Sequence, residues 1–489
     1  MSFSNNHQHN IVLATFLSLL LILGCVIIGK SITTVPLVPL LAILALFMFF
    51  TAFTTSNLAM SIIIVSMLLS PELAIGAVSK QRNVVVRIDD LFILTFSMAW
   101  LARATINKDL RIITKTPLNF AIGLYMLSYV IPTAQGMLTA GVNPIKGIFY
   151  ILKYNEYFAI YFLAAAILKD KEQIKGFLKV FLVTYAIVNI YAFTQIGSDR
   201  VSAPFEGQPG EPNTLGGYQV LMLGMIIGVL THARSLKWRG PLIFLAAFSL
   251  VPFTFTLSRA SYMAIIPMYL TLIVFSRGRM KNVLIALMIV AGIASIFTFP
   301  SNVKERIAYT FTAQDNDQTV VPVKIGRITL DPSASARIND WARLIDNWKH
   351  KPFLGYGLTG AGFVDSQFIG ALVETGIFGF FAFIFLLWKL FYQTLRIYRN
   401  TKDDFLGGLA VGFLAGQVGM LFHAFTANTF TIIRIMEPYW FLAAIIMMIP
   451  KLEAQAAVKS AEEMPLDLKP NPYTTNTSFL LKSAKYRMS

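Results

Sequence analysis

The chain has 489 residues, 56% of them hydrophobic and only 13% charged, with a mean hydropathy of +0.63. Soluble domains carry roughly 45–50% apolar and about 25% charged residues, so this composition excludes a soluble protein and leaves no separate soluble domain. The formal net charge of +16 would suggest nucleic acid in a soluble chain, but in a membrane chain it follows from Lys and Arg collecting in cytoplasmic loops. The single cysteine, Cys25, excludes an intramolecular disulfide framework and a thiolate metal site.

Crossing ~30 Å of hydrocarbon takes about 20 helical residues. Apolar stretches near 11–29, 35–53, 57–75, 88–104, 117–137, 147–168, 177–196, 214–232, 240–257, 260–275, 281–299, 366–390, 405–424 and 430–449 predict an all-α polytopic membrane protein of about 12–14 transmembrane helices. Residues 1–299 hold the first eleven spans, 300–365 form one long outer loop with short helices, 366–449 hold the last three, and 450–489 read as a disordered cytoplasmic tail. Met1 to Asn10 has no Lys or Arg and no cleavage site follows it, so the first stretch reads as an uncleaved span. With both termini inside, basic residues such as Lys108, Lys169, Arg234, Arg277 and Arg396 fall in inner loops, and the Asn476 sequon falls on the inner face. Lys80, Arg82 and Arg87 break the rule by facing out, with Asp89 and Asp90 as an offset.

The polar excursion between Phe299 and Asp365 is where the chain stops being hydrophobic, and long loops without structure are uncommon unless functional. Ile338, Trp341, Leu344, Ile345 and Trp348 recur at three- and four-residue steps, predicting an amphipathic helix near 335–350. Ser333 or Ser335 would cap it, with Arg337 on its first turn. Pro352 ends it, and Gly355, Gly357, Gly360 and Gly362 turn the chain back to the membrane.

Charge near membrane depth is costly and marks candidate function. Arg259 sits in the tight joint Ser258-Arg259-Ala260-Ser261. It either snorkels to headgroups or binds phosphate, whose oxygens a guanidinium matches in a fork. Arg200 opens a loop running through Glu206 and Gly210-Glu211-Pro212-Asn213. That loop is either an ordinary connection or a second phosphate ligand with Glu211 in support, and Asn213 would cap the next helix. Asp365 lies where the excursion becomes a span: it is either a helix cap or a carboxylate able to take a hydroxyl proton. Glu374, nine residues on and so roughly 13 Å deeper, reads as a buried structural acid. His423 ends a span and is a second candidate base. Arg434 and Glu437, and likewise Lys153 and Glu156, are spaced i,i+3 and predict internal ion pairs. There is no HExxH, CxxC, P-loop or nucleophile elbow, and the histidines are too scattered to suggest a metal site.

Two stretches together carry a resemblance. One is Thr256-Leu257-Ser258-Arg259-Ala260-Ser261. The other runs from Arg337 and Trp341 through His350-Lys351-Pro352-Phe353-Leu354-Gly355-Tyr356-Gly357 and Asp365-Ser366-Gln367-Phe368 to Leu372-Val373-Glu374-Thr375-Gly376-Ile377-Phe378-Gly379. Over about 200–449 this resembles the O-antigen ligase/polymerase superfamily of bacterial envelopes, the Wzy-like polymerases and WaaL-like ligases. The resemblance implies a GT-C-like helical bundle in the inner membrane, working on the periplasmic face on polyprenyl-diphosphate-linked glycans without metal, nucleotide sugar or other cofactor. It implies that Arg200, Arg259 and Arg337 hold the diphosphate, and that a glycan acceptor and, beyond the bilayer, a chain-length regulator or flippase are partners. The ligases typically have a histidine where this chain has Asp365, which leans the expectation towards a polysaccharide polymerase, with ligase as the alternative. Charged residues within spans also suit a lipid-linked oligosaccharide transporter, although no internal repeat of the transporter kind is visible.

Overall fold

The computed structural model describes residues 37–462, apart from 80–81, 108–112, 207–209, 233–235, 277, 299–300, 302, 306–307, 309–320, 326–327 and 363. The expected span 11–29 with Cys25, most of the expected tail with Asn476, and Lys80, Lys108, Arg111, Arg234 and Arg277 lie outside the described residues.

Each expected span from 35–53 to 430–449 contains a helix, the one at 57–75 only to Leu69. They are α1 (Leu37–Thr54), α2 (Ser56–Leu69), α3 (Ile88–Ile106), α4 (Asn119–Leu138), α5 (Pro144–Ile167), α6 (Lys171–Thr194), α7 (Pro212–His232), α8 (Leu236–Phe255), α9 (Arg259–Phe275), α10 (Gly278–Thr298), α12 (Gln367–Asn400), α13 (Asp404–His423) and α14 (Ile433–Glu462). Seven of these described helices are long and apolar enough to cross a membrane, and the protein is an all-α polytopic membrane protein. Polar residues set the starts: Asn143, Asp170 and Asp403 accept N–H bonds from the first turns of α5, α6 and α13, satisfying donors that a helix leaves orphaned. Leu40, Phe47, Leu94, Phe120, Phe244 and Phe378 are exposed, as lipid-facing side chains of such a bundle are.

One stretch differs from expectation. The helix expected at 57–75 stops at Leu69, and the chain then makes an antiparallel hairpin, β1 (Glu72–Ser79) with β2 (Arg82–Arg87). Arg87 is no loop charge facing water. It is 4% exposed and paired inside the protein, so it does not count against the charge rule.

At the centre α7 and α13 meet through glycine. A Cβ on Gly228 would lie 2.3 Å from Cα of Gly412, and one on Gly224 would lie 3.0 Å from the amide nitrogen of Gly416. The four-residue spacings Gly224/Gly228 and Gly408/Gly412/Gly416 form facing small-residue stripes, which let two backbones approach where no hydrophobic drive between helices exists.

Outside the bundle, a two-residue hairpin, β3 (Lys324–Ile325) with β4 (Ile328–Thr329), leads into the amphipathic helix α11 (Pro332–Trp348). Its cap is neither Ser333 nor Ser335. Asp331 accepts from the amides of Ser333 and Ala334, with Pro332 at the first helical position. The earlier start puts Arg337 in the second turn. Ser335 is buried, accepting from the Val323 amide and donating to the Leu330 carbonyl. The apolar face seats Leu344 against Val364 and Val373, with Trp348 and Tyr356 beside them, in a small core separate from the main one.

Candidate functional site

The turn after α11 and the break inside α12 are two halves of one structure. Gly376 has φ 65° and ψ −171°, which interrupts the helix and belongs to a region that only glycine occupies freely. The groups released there are taken by the Pro352–Gly357 turn. The Tyr356 amide donates to the Val373 carbonyl (3.0 Å), the Gly357 amide to the Glu374 carbonyl (2.8 Å), and the Ile377 amide to the Pro352 carbonyl (2.9 Å). A Cβ on Gly376 would sit 2.1 Å from the Phe353 carbonyl oxygen, and one on Gly355 would sit 2.5 Å from that of Val373. The two glycine motifs thus exist for each other, and together they fix residues 367–375 as a short separate helical segment.

Around that segment a closed circuit of contacts joins several of the candidate residues. Arg200 donates from Nε to the Thr256 carbonyl (3.1 Å) and from Nη2 to that of Leu257 (3.3 Å). Leu257 has φ 50°, a left-handed conformation uncommon for a branched residue, and it turns the chain directly into Ser258, the cap of α9. Arg259, the first residue of α9, pairs with Asp331, Nη1 to Oδ2 at 2.5 Å and Nη2 to Oδ1 at 3.4 Å. Asp331 starts α11; in the second turn of that helix Arg337 donates from Nε to Asp365 Oδ2 at 2.6 Å. Two residues on, the Gln367 amide donates to the Ala424 carbonyl. Next to Ala424, His423 Nε2 lies 3.2 Å from Ser261 Oγ, back on α9.

The circuit sorts the two candidate bases. Asp365 is 33% exposed and open to solvent. His423 has no exposed surface: Nδ1 meets the Thr429 hydroxyl at 2.7 Å and Nε2 meets Ser261. Gly216 and Gly217 of α7 make the room, since a Cβ on the first would lie 2.2 Å from Ser261 Oγ and one on the second 3.3 Å from Cε1 of His423. In this geometry His423 ties three helices together. Asn213 likewise does not cap α7, which starts at Pro212; its Oδ1 accepts from the Ser258 hydroxyl at 2.7 Å and so braces the Arg259 joint. Glu374 accepts from the Thr359 amide at Oε1 (3.2 Å) and faces a cavity rather than a sealed core. Glu211 is exposed, and its backbone N–H donates to Glu206.

The expected Arg434–Glu437 pair does not form. Arg434 turns to Glu72 (3.1 Å) and to the carbonyls of Leu68, Ser70, Pro204 and Phe205, stapling the end of α2 to the Arg200 loop. Five-donor geometry explains the choice: one guanidinium satisfies several buried carbonyls at once. Glu437 pairs instead with Arg87 (3.4 Å), which also holds Asp89. Lys153 does meet Glu156 (3.4 Å), and it meets Asp90 more closely. Sequence spacing fails for Arg434 and Glu437 because their partners, Glu72 and Arg87, lie 362 and 350 residues away in the chain.

Two participants escaped the sequence reading. Asp331 precedes Pro332, an Asp-Pro helix start that was there to be read. Glu206, in the Arg200 loop, accepts from the amides of Ala203 and Glu211; burial pushes its carboxyl up to about 8, against the pull of the Arg434 guanidinium.

A family model described as Wzy_C, O-Antigen ligase, matches residues 243–384. That segment runs from α8 to the middle of α12 and contains Arg259, Asp331, Arg337, Asp365 and Glu374, whereas Arg200, His423 and Arg434 lie beyond it. No curated protein matches the chain.

Proposed function

We propose, on the match of residues 243–384 to an O-antigen ligase family model, a membrane glycosyltransferase of GT-C type that polymerises polyprenyl-diphosphate-linked repeat units into a surface polysaccharide. It works on the periplasmic face of the bacterial inner membrane. The observation that carries this reading is the circuit Arg200–Leu257–Arg259–Asp331–Arg337–Asp365, which gathers three guanidinium groups and one accessible carboxylate at one end of the bundle.

The chemistry follows from those groups. The acceptor hydroxyl gives its proton to the Asp365 carboxylate while its oxygen bonds the anomeric carbon of the donor. The bond from that carbon to the diphosphate oxygen breaks, and its electron pair leaves with the diphosphate. The negative charge growing on the leaving group is what Arg259, Arg337 and Arg200 stabilise, as donors already fixed in place by the circuit. Attack opposite the leaving group inverts the anomeric centre. Carboxylates now occupy Arg259 and Arg337, which keeps both guanidinium groups ordered until a diphosphate competes for them. An apolar cleft of about 580 Å³, lined among others by Leu44, Leu58, Val65, Leu69 and Phe92, reaches Ser70 and suits a polyprenyl tail.

The test is purified protein in liposomes, supplied with its polyprenyl-diphosphate oligosaccharide and no other acceptor. A ladder of lengthened glycan that vanishes with Arg259→Ala and Asp365→Ala supports the polymerase. Transfer only after a different acceptor is added makes the protein a ligase. Movement of intact substrate across the bilayer without transfer would leave a transporter.

A further inference from the structure

A cavity of about 320 Å³ opens between α5, the Leu358–Val364 turn, the start of α12 and the Thr429–Thr431 segment. It adjoins the proposed base: Val364 and Ser366, the neighbours of Asp365 on either side, both line it. The other side chains that give it character are Lys146, Tyr150, Tyr154, Gln367, Glu374 and Asn428. We propose that this cavity is the acceptor subsite and holds the terminal sugar ring of a saccharide, with one of its hydroxyls presented to Asp365. The inference rests on the transfer reading above and adds to it the substrate's location and chemical class.

The chemistry of the wall selects the class. A lipid chain would strip water from the amides, the ammonium and the carboxylate without replacing their hydrogen bonds, which is costly. A phosphate would meet Lys146 but also Glu374, and gains no net attraction from that pair. A sugar ring is matched on both counts. Its hydroxyls donate and accept, as Glu374, Gln367 and Asn428 require, and its apolar C–H face can lie against a tyrosine, whose ring is apolar and whose tip is polar. Tyr150 and Tyr154 stand edge to face here, their ring centres 6.5 Å apart. Oδ1 of Asn428 is buried and, among the described residues, has no hydrogen-bond partner. A buried amide oxygen without a donor calls for one, and a sugar hydroxyl supplies it. The cavity is within the size range of ligand sites, and it is separate from Arg259 and Arg200, which do not line it.

The glycine pairing explains why the cavity exists. Gly376 breaks α12 two residues beyond Glu374, and the Pro352–Gly357 turn holds the break open. Glu374 is thereby held at the cavity wall by the Thr359 amide rather than packed into a continuous helix.

The test uses full-length wild-type protein in nanodiscs and a diazirine-bearing form of the oligosaccharide released by mild acid from its lipid-linked precursor. After irradiation, peptides are mapped by mass spectrometry with and without excess untagged oligosaccharide. Expected are competed cross-links within 143–154, 358–374 and 428–431. Cross-links that map elsewhere, or that excess oligosaccharide does not compete, overturn the subsite. Asn428→Ala and Tyr150→Ala are expected to raise the acceptor KM about tenfold, the scale of one or two lost buried contacts, with little change in kcat. An unchanged KM in folded variants also overturns it. Arg259→Ala is expected to keep the cross-links while losing transfer. If wild-type protein cross-links in the cavity but transfers nothing from authentic donor, the saccharide site stands and the transferase reading falls. If it transfers but cross-links elsewhere, the reverse holds.

Discussion

Arg259, the first residue of a membrane helix, grips Asp331, the cap of the amphipathic helix outside the bundle, through both of its terminal nitrogens. One carboxylate therefore does two jobs: Oδ1 starts α11 by accepting from Ser333 and Ala334, and Oδ2 takes the main contact with Arg259. The pair anchors the helix that carries Arg337 to the joint that carries Arg259, so the spacing of the two guanidinium groups is set by this contact.

That double role gives a way to separate anchoring from chemistry. Asp331→Asn keeps an oxygen for the cap and removes the ion pair, so we expect a modest loss of glycan transfer, within about tenfold. Arg259→Ala removes a charge that the departing diphosphate needs, and we expect a loss of about 10²–10³ in kcat, the usual scale for one such donor. Equal losses in the two variants, measured as initial rates of ladder formation, would reduce Arg259 to a structural anchor.

Asp365 and His423 are expected to behave oppositely. Asp365→Asn should cut kcat by about 10²–10⁴, the span of general-base contributions, with the melting temperature little changed because the side chain is partly exposed and its partner Arg337 remains in water's reach. His423→Ala should lower thermal stability, as it takes from the Thr429 hydroxyl its partner in a sealed site and leaves Ser261 only Ser258, at about 1–3 kcal/mol for an unsatisfied buried group. Thermal melts run beside rate measurements distinguish the two.

Stability should also fall as pH rises from about 4.5 to about 8, through Glu206. Its folded pKa of about 8 stands above the ordinary carboxyl value of 4.5. Between those values the folded state binds the extra proton, so raising pH through this window favours unfolding, at no more than about 1.4 kcal/mol per pH unit. Melting temperatures taken from pH 5 to 8 are expected to decline in wild type and to flatten in Glu206→Gln. An unchanged slope in that variant would remove Glu206 as the cause.

The glycine seam offers a packing test with an internal control. Gly228→Ala drives a methyl group into the backbone of α13, and we expect about 1–3 kcal/mol of destabilisation, as in other overpacked contacts. Gly292→Ala on α10 meets nothing within 4 Å and should be neutral or slightly stabilising. The buried ion cluster is harsher. Lys153→Met leaves Asp90 and Glu156 without their cation, a change expected to cost about 3–5 kcal/mol and visible as loss of monodisperse protein on size exclusion.

Sequence alone determined the helices, because a lipid solvent forces every span to satisfy its own backbone bonds with some 20 apolar residues, and that requirement is written locally. It also marked Arg259, Arg337 and Asp365, since charge beside an apolar run has few innocent reasons to exist. It read the glycines at 355 and 357 as a turn, but it ran a span straight through Gly376 and so could not show that the three were one joint. Partner choice was decided only in three dimensions. Arg434 has an acid one turn away and takes Glu72 and four carbonyls instead, and His423 sits at a span end yet is sealed by α7 and α9. Those outcomes depend on which helices pack side by side, and a residue's nearest neighbour in the chain says nothing about which distant carbonyls will need a donor once water is gone.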